Sequence, residues 1–151
     1  MIGSVLVVSS ANICRAPLGA ELLRAALRER GASIAVDSSG LHARDGTPAD
    51  PETCLLAKRH GLLLDTHRAR RLTPDAARQA DLILAIDRPV QAEVREQSPE
   101  LAPKLALFDQ WIGAKGILDP HQRSREFHQA AYLLLRDAAH AWATRLAPTA
   151  R

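Results

Sequence analysis

Residues 8–17 of this chain read Val8-Ser9-Ser10-Ala11-Asn12-Ile13-Cys14-Arg15-Ala16-Pro17 and stand between an apolar run and an amphipathic one. The apolar residues 5–8 predict a buried strand, and the residues after Pro17 carry apolar side chains at helical spacing. Pro17 fits the first position of that helix, where a missing N–H costs nothing. A loop between a strand and a helix N-terminus points successive N–H groups at one spot and so makes an anion site. Arg15 adds a planar fork for two oxygens, so the stretch predicts a phosphate pocket.

The composition is that of a globular protein, and we expect a single domain over residues 1–151. Hydrophobic residues make up 46% of the chain and charged residues 25%, which is ordinary for this class. The sequence has neither 18 consecutive apolar residues nor the basic start of a signal peptide, so we expect no membrane span. Cys14 and Cys54 form neither a disulfide framework nor a Cys-x-x-Cys pair. These features together predict a cytoplasmic protein.

The formal charge of +3 comes mainly from arginine. A nucleic-acid partner is not expected, because aromatic residues make up only 3% of the chain and there is no long basic run. A solvated basic surface explains the charge, and so does a basic rim that draws anionic substrates to the phosphate pocket.

The order of elements predicts an α/β fold, a three-layer sandwich in which a four-stranded parallel sheet of order 2-1-3-4 has helices on both faces. We predict strands at 2–8, 33–38, 81–86 and 104–108, and helices at 17–30, 53–60, 89–96 and 122–146. Asp50 and Thr73 are predicted helix caps, the second for a short helix. Since ligands in such sheets lie beyond the carboxyl ends of the strands, we expect the loop after Ser9, Asp87 and Asp119 to share one rim.

The last predicted helix has a pattern that assigns its core face. The predicted core residues are Phe127, Ala130, Ala131, Leu134, Ala138, Ala141 and Trp142. Three histidines, His60, His128 and His140, are predicted to lie on helix surfaces.

Residues 8–17 resemble the phosphate loop of the low-molecular-weight protein tyrosine phosphatases, whose pattern is V-C-x-G-N-I-C-R-S-P. Further family motifs follow in order and at family spacing: VDSSG at 36–40, GTPADP at 46–51, HRAR at 67–70, DLIL at 81–84 and DPH at 119–121. The resemblance extends to about residue 146 and is greatest to the bacterial branch associated with tyrosine kinases of capsule and exopolysaccharide synthesis. It implies a metal-free and cofactor-free enzyme that hydrolyses phosphotyrosine through a cysteinyl-phosphate. The implied partner is a phosphotyrosine protein, with a bacterial tyrosine kinase as one candidate.

Ser9 stands where the family has its nucleophilic cysteine. A helix N-terminus and an arginine lower the pKa of a thiol from about 8.5 to below about 7, and the thiolate then attacks phosphorus. A serine hydroxyl ionises far above neutral pH, and no histidine in the loop provides a general base. We therefore expect this chain to bind a phosphoryl group but hardly to hydrolyse it. Two interpretations stay open: Ser9 replaces a natural cysteine to trap a bound state, or the chain is a natural phosphotyrosine-binding pseudophosphatase.

The other residues of the loop are assigned to phosphate binding. The set is Ser10, Ala11, Asn12, Ile13, Cys14 and Arg15, and Arg15 is expected to stabilise the transferring phosphoryl group. The resemblance implies a supporting network of Asn12, Ser38 and His67. Cys14 matches the family's second loop cysteine, although an ordinary buried cysteine explains it equally well. Ala16 replaces a serine of the pattern, which predicts a less acidic thiol even with a cysteine at position 9.

Asp119 is the candidate general acid for the leaving phenolate. Asp-Pro is also typical of a helix start, with Asp119 as the cap and Pro120 in the first turn. The family usually has an aromatic residue after this Asp-Pro, and here His121 stands in its place. We therefore expect His121 to line the slot for the tyrosine ring, with Leu41 and His42 as the opposite wall.

A related class with the same loop, arsenate reductase, is disfavoured. Its chemistry resolves a cysteine–arsenic intermediate by disulfide exchange and so needs further cysteines. Residues 81–89, where they are expected, contain none.

Overall fold

The computed structural model describes residues 1–148. Its sheet has four parallel strands in the order β2-β1-β3-β4. The strands are β1 (Ser4–Ser9), β2 (Ala35–Gly40), β3 (Leu82–Ala85) and β4 (Leu105–Leu107). The helices are α1 (Arg15–Glu29), α2 (Pro51–Arg59), α3 (Pro74–Gln79), α4 (Arg88–Gln97) and α5 (Arg125–Leu146). The predicted α/β sandwich and its strand order are confirmed.

The core lies between the sheet and the helices that cover it. Helix α1 packs on β1, β2 and α5, while α4 packs on β3 and β4. All four residues of β3 are buried, as expected for a strand of a parallel sheet with both faces covered. Phe108, just after β4, is fully buried. Two short 3-10 segments, Pro99–Lys104 and Gln110–Ile112, were not predicted.

Local capping signals are confirmed at two helices. Asp50 accepts a hydrogen bond from the Thr53 N–H at 3.1 Å and begins α2. Thr73 does the same for α3 through the Ala76 N–H. Both caps precede a proline in the first turn, where the sequence already carries the signal.

The first helix begins two residues earlier than predicted. Arg15 is its first residue and Cys14 its N-cap, so Pro17 occupies the third helical position rather than the first. The fold tolerates this because the first N–H groups of a helix have no partner within the helix. The earlier start makes Arg15 part of the helix N-terminus itself.

The last helix begins three residues later than predicted. Gln122 has a φ of 60°, in the left-handed region that an α-helix excludes. The helix instead begins at Arg125, with Ser124 as its N-cap. Within residues 1–148, no helix combines the length and the apolar character needed to cross a membrane.

The predicted core face of α5 was partly wrong. Phe127, Ala130 and Leu134 are exposed and Ala141 is half-buried, whereas Ala131, Ala138 and Trp142 are buried as predicted. The buried side chains also include Tyr132 and Leu135. Apolar residues surround this helix on several sides, and its packing against α1 and α2 decides which of them are covered. His128 is likewise buried, at 3% exposure, and so is not the surface residue that was predicted.

Candidate active site

The phosphate loop connects β1 to α1 and lines a small concavity at the carboxyl end of the sheet. The concavity is lined by Ser9, Ala11, Asn12, Ile13, Cys14, Arg15 and Asp119. Ser9 is the last residue of β1 and is 3% exposed. Its Oγ accepts a hydrogen bond from the Asn12 N–H at 3.0 Å. Ser9 therefore lies where β1 passes into the loop, and it lines the concavity.

Asn12 stabilises the conformation of the loop through hydrogen bonds to residues outside the loop. Its φ is 61°, a left-handed conformation that asparagine tolerates better than most residues. Its Nδ2 donates to Ser38 Oγ at 2.9 Å, and its Oδ1 accepts from the Arg70 N–H at 3.0 Å. His67 Nε2 donates to the Asn12 carbonyl at 2.7 Å. The structure thus brings together the three residues of the expected network, and it adds the backbone of Arg70.

Burial lowers the pKa of His67 below the usual value for an imidazole. The hydrogen bond to the Asn12 carbonyl acts in the opposite direction and is the smaller influence. Since a carbonyl only accepts, Nε2 carries the proton of the neutral ring. His67 is therefore a supporting donor to the loop.

Gly40 lets the end of β2 run directly along the phosphate loop. The Leu41 N–H donates to the Ser9 carbonyl at 2.9 Å, and the His42 N–H donates to the Ser10 carbonyl at 2.8 Å. A Cβ added at Gly40 would lie 2.6 Å from the Ser10 carbonyl oxygen. Only glycine fits this approach without a shift of the backbone.

The Arg15 side chain is 8% exposed, and within the described part of the chain it is held in place by hydrogen bonds from only one of its three nitrogens, Nη1. Its Nη1 donates to Asp87 Oδ2 at 2.9 Å and to the Ile117 carbonyl at 2.6 Å. Nε and Nη2 have no hydrogen-bond partner among residues 1–148. Because every buried polar side-chain atom of these residues has a partner, the two unpaired nitrogens are not fully buried. These two donors are therefore accessible for two oxygens of an anion.

Asp87 was predicted to lie on the rim of the site, with no role assigned to it. Besides pairing with Arg15, it caps α4 by accepting from the Val90 N–H at 2.9 Å through Oδ1. The signal was an aspartate directly after a buried strand and two residues before a proline, which predicts a cap but not its arginine partner.

Asp119 lies over the concavity and is exposed. Its Oδ1 accepts from the His121 N–H at 3.1 Å. Because α5 begins at Arg125 with Ser124 as its cap, Asp119 does not cap that helix. The alternative explanation of this Asp-Pro pair is therefore wrong.

Cys14 belongs to the loop, but its thiol is buried at 4% exposure. Burial, with smaller contributions from the carboxylates of Asp50 and Asp119, raises the pKa of Cys14 to about 12 against the opposing influence of Thr53 and Arg15. At neutral pH this side chain is a thiol and not a thiolate.

The structure gives the three residues of the predicted aromatic slot different partners. Leu41 and His42 line a neighbouring groove with Arg71 and Leu72, and His42 Nε2 pairs with Glu93 at 2.8 Å. His121 Nδ1 lies 2.9 Å from Asp50 Oδ1. The slot for the tyrosine ring, with His121 on one side and Leu41 and His42 on the other, stays a prediction.

The fold and the site together define an α/β protein in which an arginine at a helix N-terminus and a carboxylate line one concavity. Residues 4–150 match the family model described as low molecular weight phosphotyrosine protein phosphatase. The chain belongs to this family of phosphatases.

Individual relatives and solved structures agree with the assignment to this phosphatase family. The probable low molecular weight protein-tyrosine-phosphatase AmsI of Erwinia amylovora is 40% identical over 146 residues, which cover 97% of this chain and 99% of AmsI. The structure of Vibrio vulnificus Wzb in complex with benzylphosphonate has a TM-score of 0.90 at 35% identity, with 96% of this chain and 99% of that chain covered. The tyrosine phosphatase Wzb of Escherichia coli K30, in complex with sulphate, has a TM-score of 0.90 at 36% identity, with 97% and 99% covered.

Proposed function

We propose that this chain binds phosphotyrosine proteins in its phosphate loop and hydrolyses them hardly or not at all, because Ser9 occupies the position of the nucleophile. The observation that carries the proposal is that Ser9 lines the concavity together with Arg15 and Asp119, with its Oγ 3.0 Å from the Asn12 N–H. Whether the serine is natural or was introduced, the expectation for this chain is the same: binding without turnover.

The surroundings of Ser9 offer a hydroxyl no means of activation. Among residues 1–148 its Oγ has one hydrogen-bond partner, the backbone N–H of Asn12, and that group is a donor. Serine nucleophiles elsewhere pass their proton to a neighbouring base, most often histidine. His67, the imidazole nearest in the network, is occupied by the Asn12 carbonyl. The hydroxyl therefore keeps its proton.

Cys14 does not replace the missing thiolate. Its pKa is raised to about 12, so the thiolate fraction at neutral pH is negligible. Cys14 lines the same concavity as Ser9, but its Sγ lies 4.0 Å from His121 Nδ1. Position 9 remains the place from which a nucleophile would act.

Binding of the phosphoryl group falls to Arg15 and the loop amides. Nε and Nη2 of Arg15 are free for two equatorial oxygens, while Nη1 fixes the guanidinium through Asp87. The complexes of Wzb proteins with benzylphosphonate and sulphate support a tetrahedral anion as the ligand of this loop. Asp119, over the concavity, is proposed to give its proton to the tyrosine oxygen as that oxygen leaves.

The test is the variant Ser9→Cys, assayed with p-nitrophenyl phosphate beside the unchanged chain. We expect a gain in kcat on the order of 10³-fold or more, since removal of a covalent nucleophile costs enzymes this much or more. Ser10→Cys, one position further along the same loop, is the matched control and should gain nothing. Ala16 is fully buried and offers no hydroxyl to the thiolate, so the thiol of the Ser9→Cys variant should titrate higher than in Ser9→Cys/Ala16→Ser.

Phosphate binding by both variants shows that the loop is intact. A Ser9→Cys variant that binds phosphate and remains inactive would overturn the assignment of position 9. Ready hydrolysis by the unchanged chain, if it is lost in Cys14→Ser, would also overturn the assignment of position 9.

A further inference from the structure

Three side chains beside the phosphate loop turn potential metal-ligating atoms toward one another. The atoms are Cys14 Sγ, one carboxylate oxygen of Asp50 and one ring nitrogen of His121, and all lie within 4.8 Å of each other. Nδ1 of His121 stands 2.9 Å from Asp50 Oδ1 and 4.0 Å from Cys14 Sγ. The sequence predicted no metal site, since these residues come from three separate motifs.

The fold sets this cluster with little freedom. Cys14 is the N-cap residue of α1. Asp50 is tied to the loop because its N–H donates to the Ile13 carbonyl at 2.9 Å, and its side chain caps α2. His121 follows Asp119, whose Oδ1 accepts its N–H.

We propose that Cys14 Sγ, Asp50 Oδ1 and His121 Nδ1 form a binding site for a divalent transition-metal ion of the zinc type, with a fourth position open to water or to a ligand anion. Sulfur, imidazole nitrogen and carboxylate oxygen form the mixed set that zinc accepts, while Mg²⁺ and Ca²⁺ prefer oxygen alone. Zinc bonds of about 2.0–2.3 Å in a tetrahedral arrangement separate two ligand atoms by about 3.2–3.6 Å. The separations of 2.9 Å and 4.0 Å lie on either side of that range, and Cys14 Sγ lies within 4.8 Å of the Asp50 carboxylate. Movements of about 1 Å therefore complete the site.

The surroundings of Asp50 suit a ligand that must be held in place. Its Oδ2 accepts from the Thr53 N–H and hydroxyl at 3.1 Å and 3.3 Å. The Nε2 of the buried His128 lies 4.0 Å from the same oxygen. Such contacts to the oxygen that does not bind the ion orient a ligating carboxylate. To bind the ion through Nδ1, the neutral His121 ring must carry its proton on Nε2, and the Cys14 thiol releases its proton to solvent.

The ion would join three segments that already meet here through the Asp50 N–H to Ile13 carbonyl hydrogen bond and the His121–Asp50 contact: the phosphate loop, the start of α2 and the segment before α5. Because Asp119 is hydrogen-bonded to the His121 N–H, the carboxylate above the concavity would be held with them. The site thus gives metal ions a way to fix the position of Asp119 relative to the loop. This inference does not depend on turnover and stands whether or not Ser9 is an effective nucleophile.

The test is a titration of the whole chain with ZnCl2 by isothermal calorimetry, together with absorption spectra of the Co²⁺-loaded protein. We expect one ion per chain, and a sulfur-to-cobalt charge-transfer band that requires Cys14. Removal of a group that only hydrogen-bonds to a metal ligand weakens metal binding about 10–100-fold. Removal of a ligand itself should cost at least as much, so Cys14→Ser and His121→Phe should each raise the Kd for zinc about 100-fold or more. The charge-transfer band should disappear in Cys14→Ser. Mg²⁺ should not compete.

Two control variants match these changes closely. Cys54→Ser removes the chain's other free cysteine, and His42→Phe removes another exposed histidine that pairs with a carboxylate, Glu93. Both should leave zinc affinity and the cobalt spectrum unchanged. Absence of 1:1 binding, or equal losses in the test and control variants, would show that Asp50 and His121 form an ordinary hydrogen-bonded pair and would overturn the proposal.

Discussion

Replacement of Arg15 by lysine tests how the loop holds an anion. The positive charge is kept, but the guanidinium fork is lost. In the structure Nη1 is committed to Asp87 and to the Ile117 carbonyl, which leaves Nε and Nη2 for the phosphoryl oxygens. A lysine has one ammonium group, which can stay with Asp87 or turn to the anion, but cannot do both in this geometry.

The expected loss follows from the two donors that disappear. A hydrogen bond to a charged group contributes about 1.5–3 kcal/mol, so two of them amount to about 3–6 kcal/mol. Taking the lower end, because lysine recovers part of the Coulomb attraction, phosphate affinity should fall on the order of 100-fold in Arg15→Lys. The free energy of unfolding should change little, since the ammonium still provides Asp87 with a positive partner.

The assay is isothermal titration calorimetry of the unchanged chain and of Arg15→Lys with phosphotyrosine and with inorganic phosphate. Arg70→Lys is the matched control, because the guanidinium of Arg70 pairs with Asp37 on the surface, where both side chains are more than half exposed. Its N–H to Asn12 Oδ1 is unaffected by that change. A fall of less than about threefold in Arg15→Lys, in a variant with normal thermal unfolding, would refute the fork geometry.

Three further predictions concern the acid, the supporting imidazole and the close approach of β2. In the Ser9→Cys background, Asp119→Asn should slow phenyl phosphate hydrolysis about 100-fold and p-nitrophenyl phosphate far less, and an equal loss for both would exclude a general acid. Burial lowers the pKa of His67 in the folded state. Below about pH 6.5 the unfolded chain therefore binds a proton at His67 more readily than the folded chain does, and the free energy of unfolding declines as the pH falls. Urea unfolding near neutral and at mildly acidic pH should show a smaller decline in His67→Gln, and an unchanged decline would assign it to other groups. Gly40→Ala should lower the free energy of unfolding by about 1–3 kcal/mol, because its Cβ would meet the Ser10 carbonyl at 2.6 Å; an unchanged urea midpoint would contradict this.

The sequence predicts those parts of the fold that depend on neighbours in the chain. Strand β1, the loop and α1 follow from a local change of hydrophobic pattern, and the caps Asp50 and Thr73 follow from a side chain next to a proline. The start of α5 was misplaced because a left-handed φ at Gln122 has no strong signal in a glutamine. Its core face was misassigned because packing against other helices, rather than periodicity, chooses among several apolar sides.

The candidate site divides in the same way. The donors of the loop and Arg15 are predictable because they are contiguous. Asp87 as the partner of Arg15, and His121 beside Cys14, depend on how strands and loops 72 and 107 residues apart meet in space. The resemblance to a family predicted the network of Asn12 with His67, but a family pattern with an aromatic residue at position 121 carries no information on what a histidine there contacts.

The hydrogen bonds of the left-handed Asn12 determine whether the phosphate loop loses its conformational entropy on folding or on binding. Three hydrogen bonds, from His67, to Ser38 and from Arg70, hold this residue, and all three partners belong to the chain itself. Conformational entropy is therefore lost when the chain folds and not when the ligand arrives, which is what preorganisation of a binding site means. Damage to this network would return that entropy to the free loop, so that affinity would fall although every group that touches phosphate is still in place.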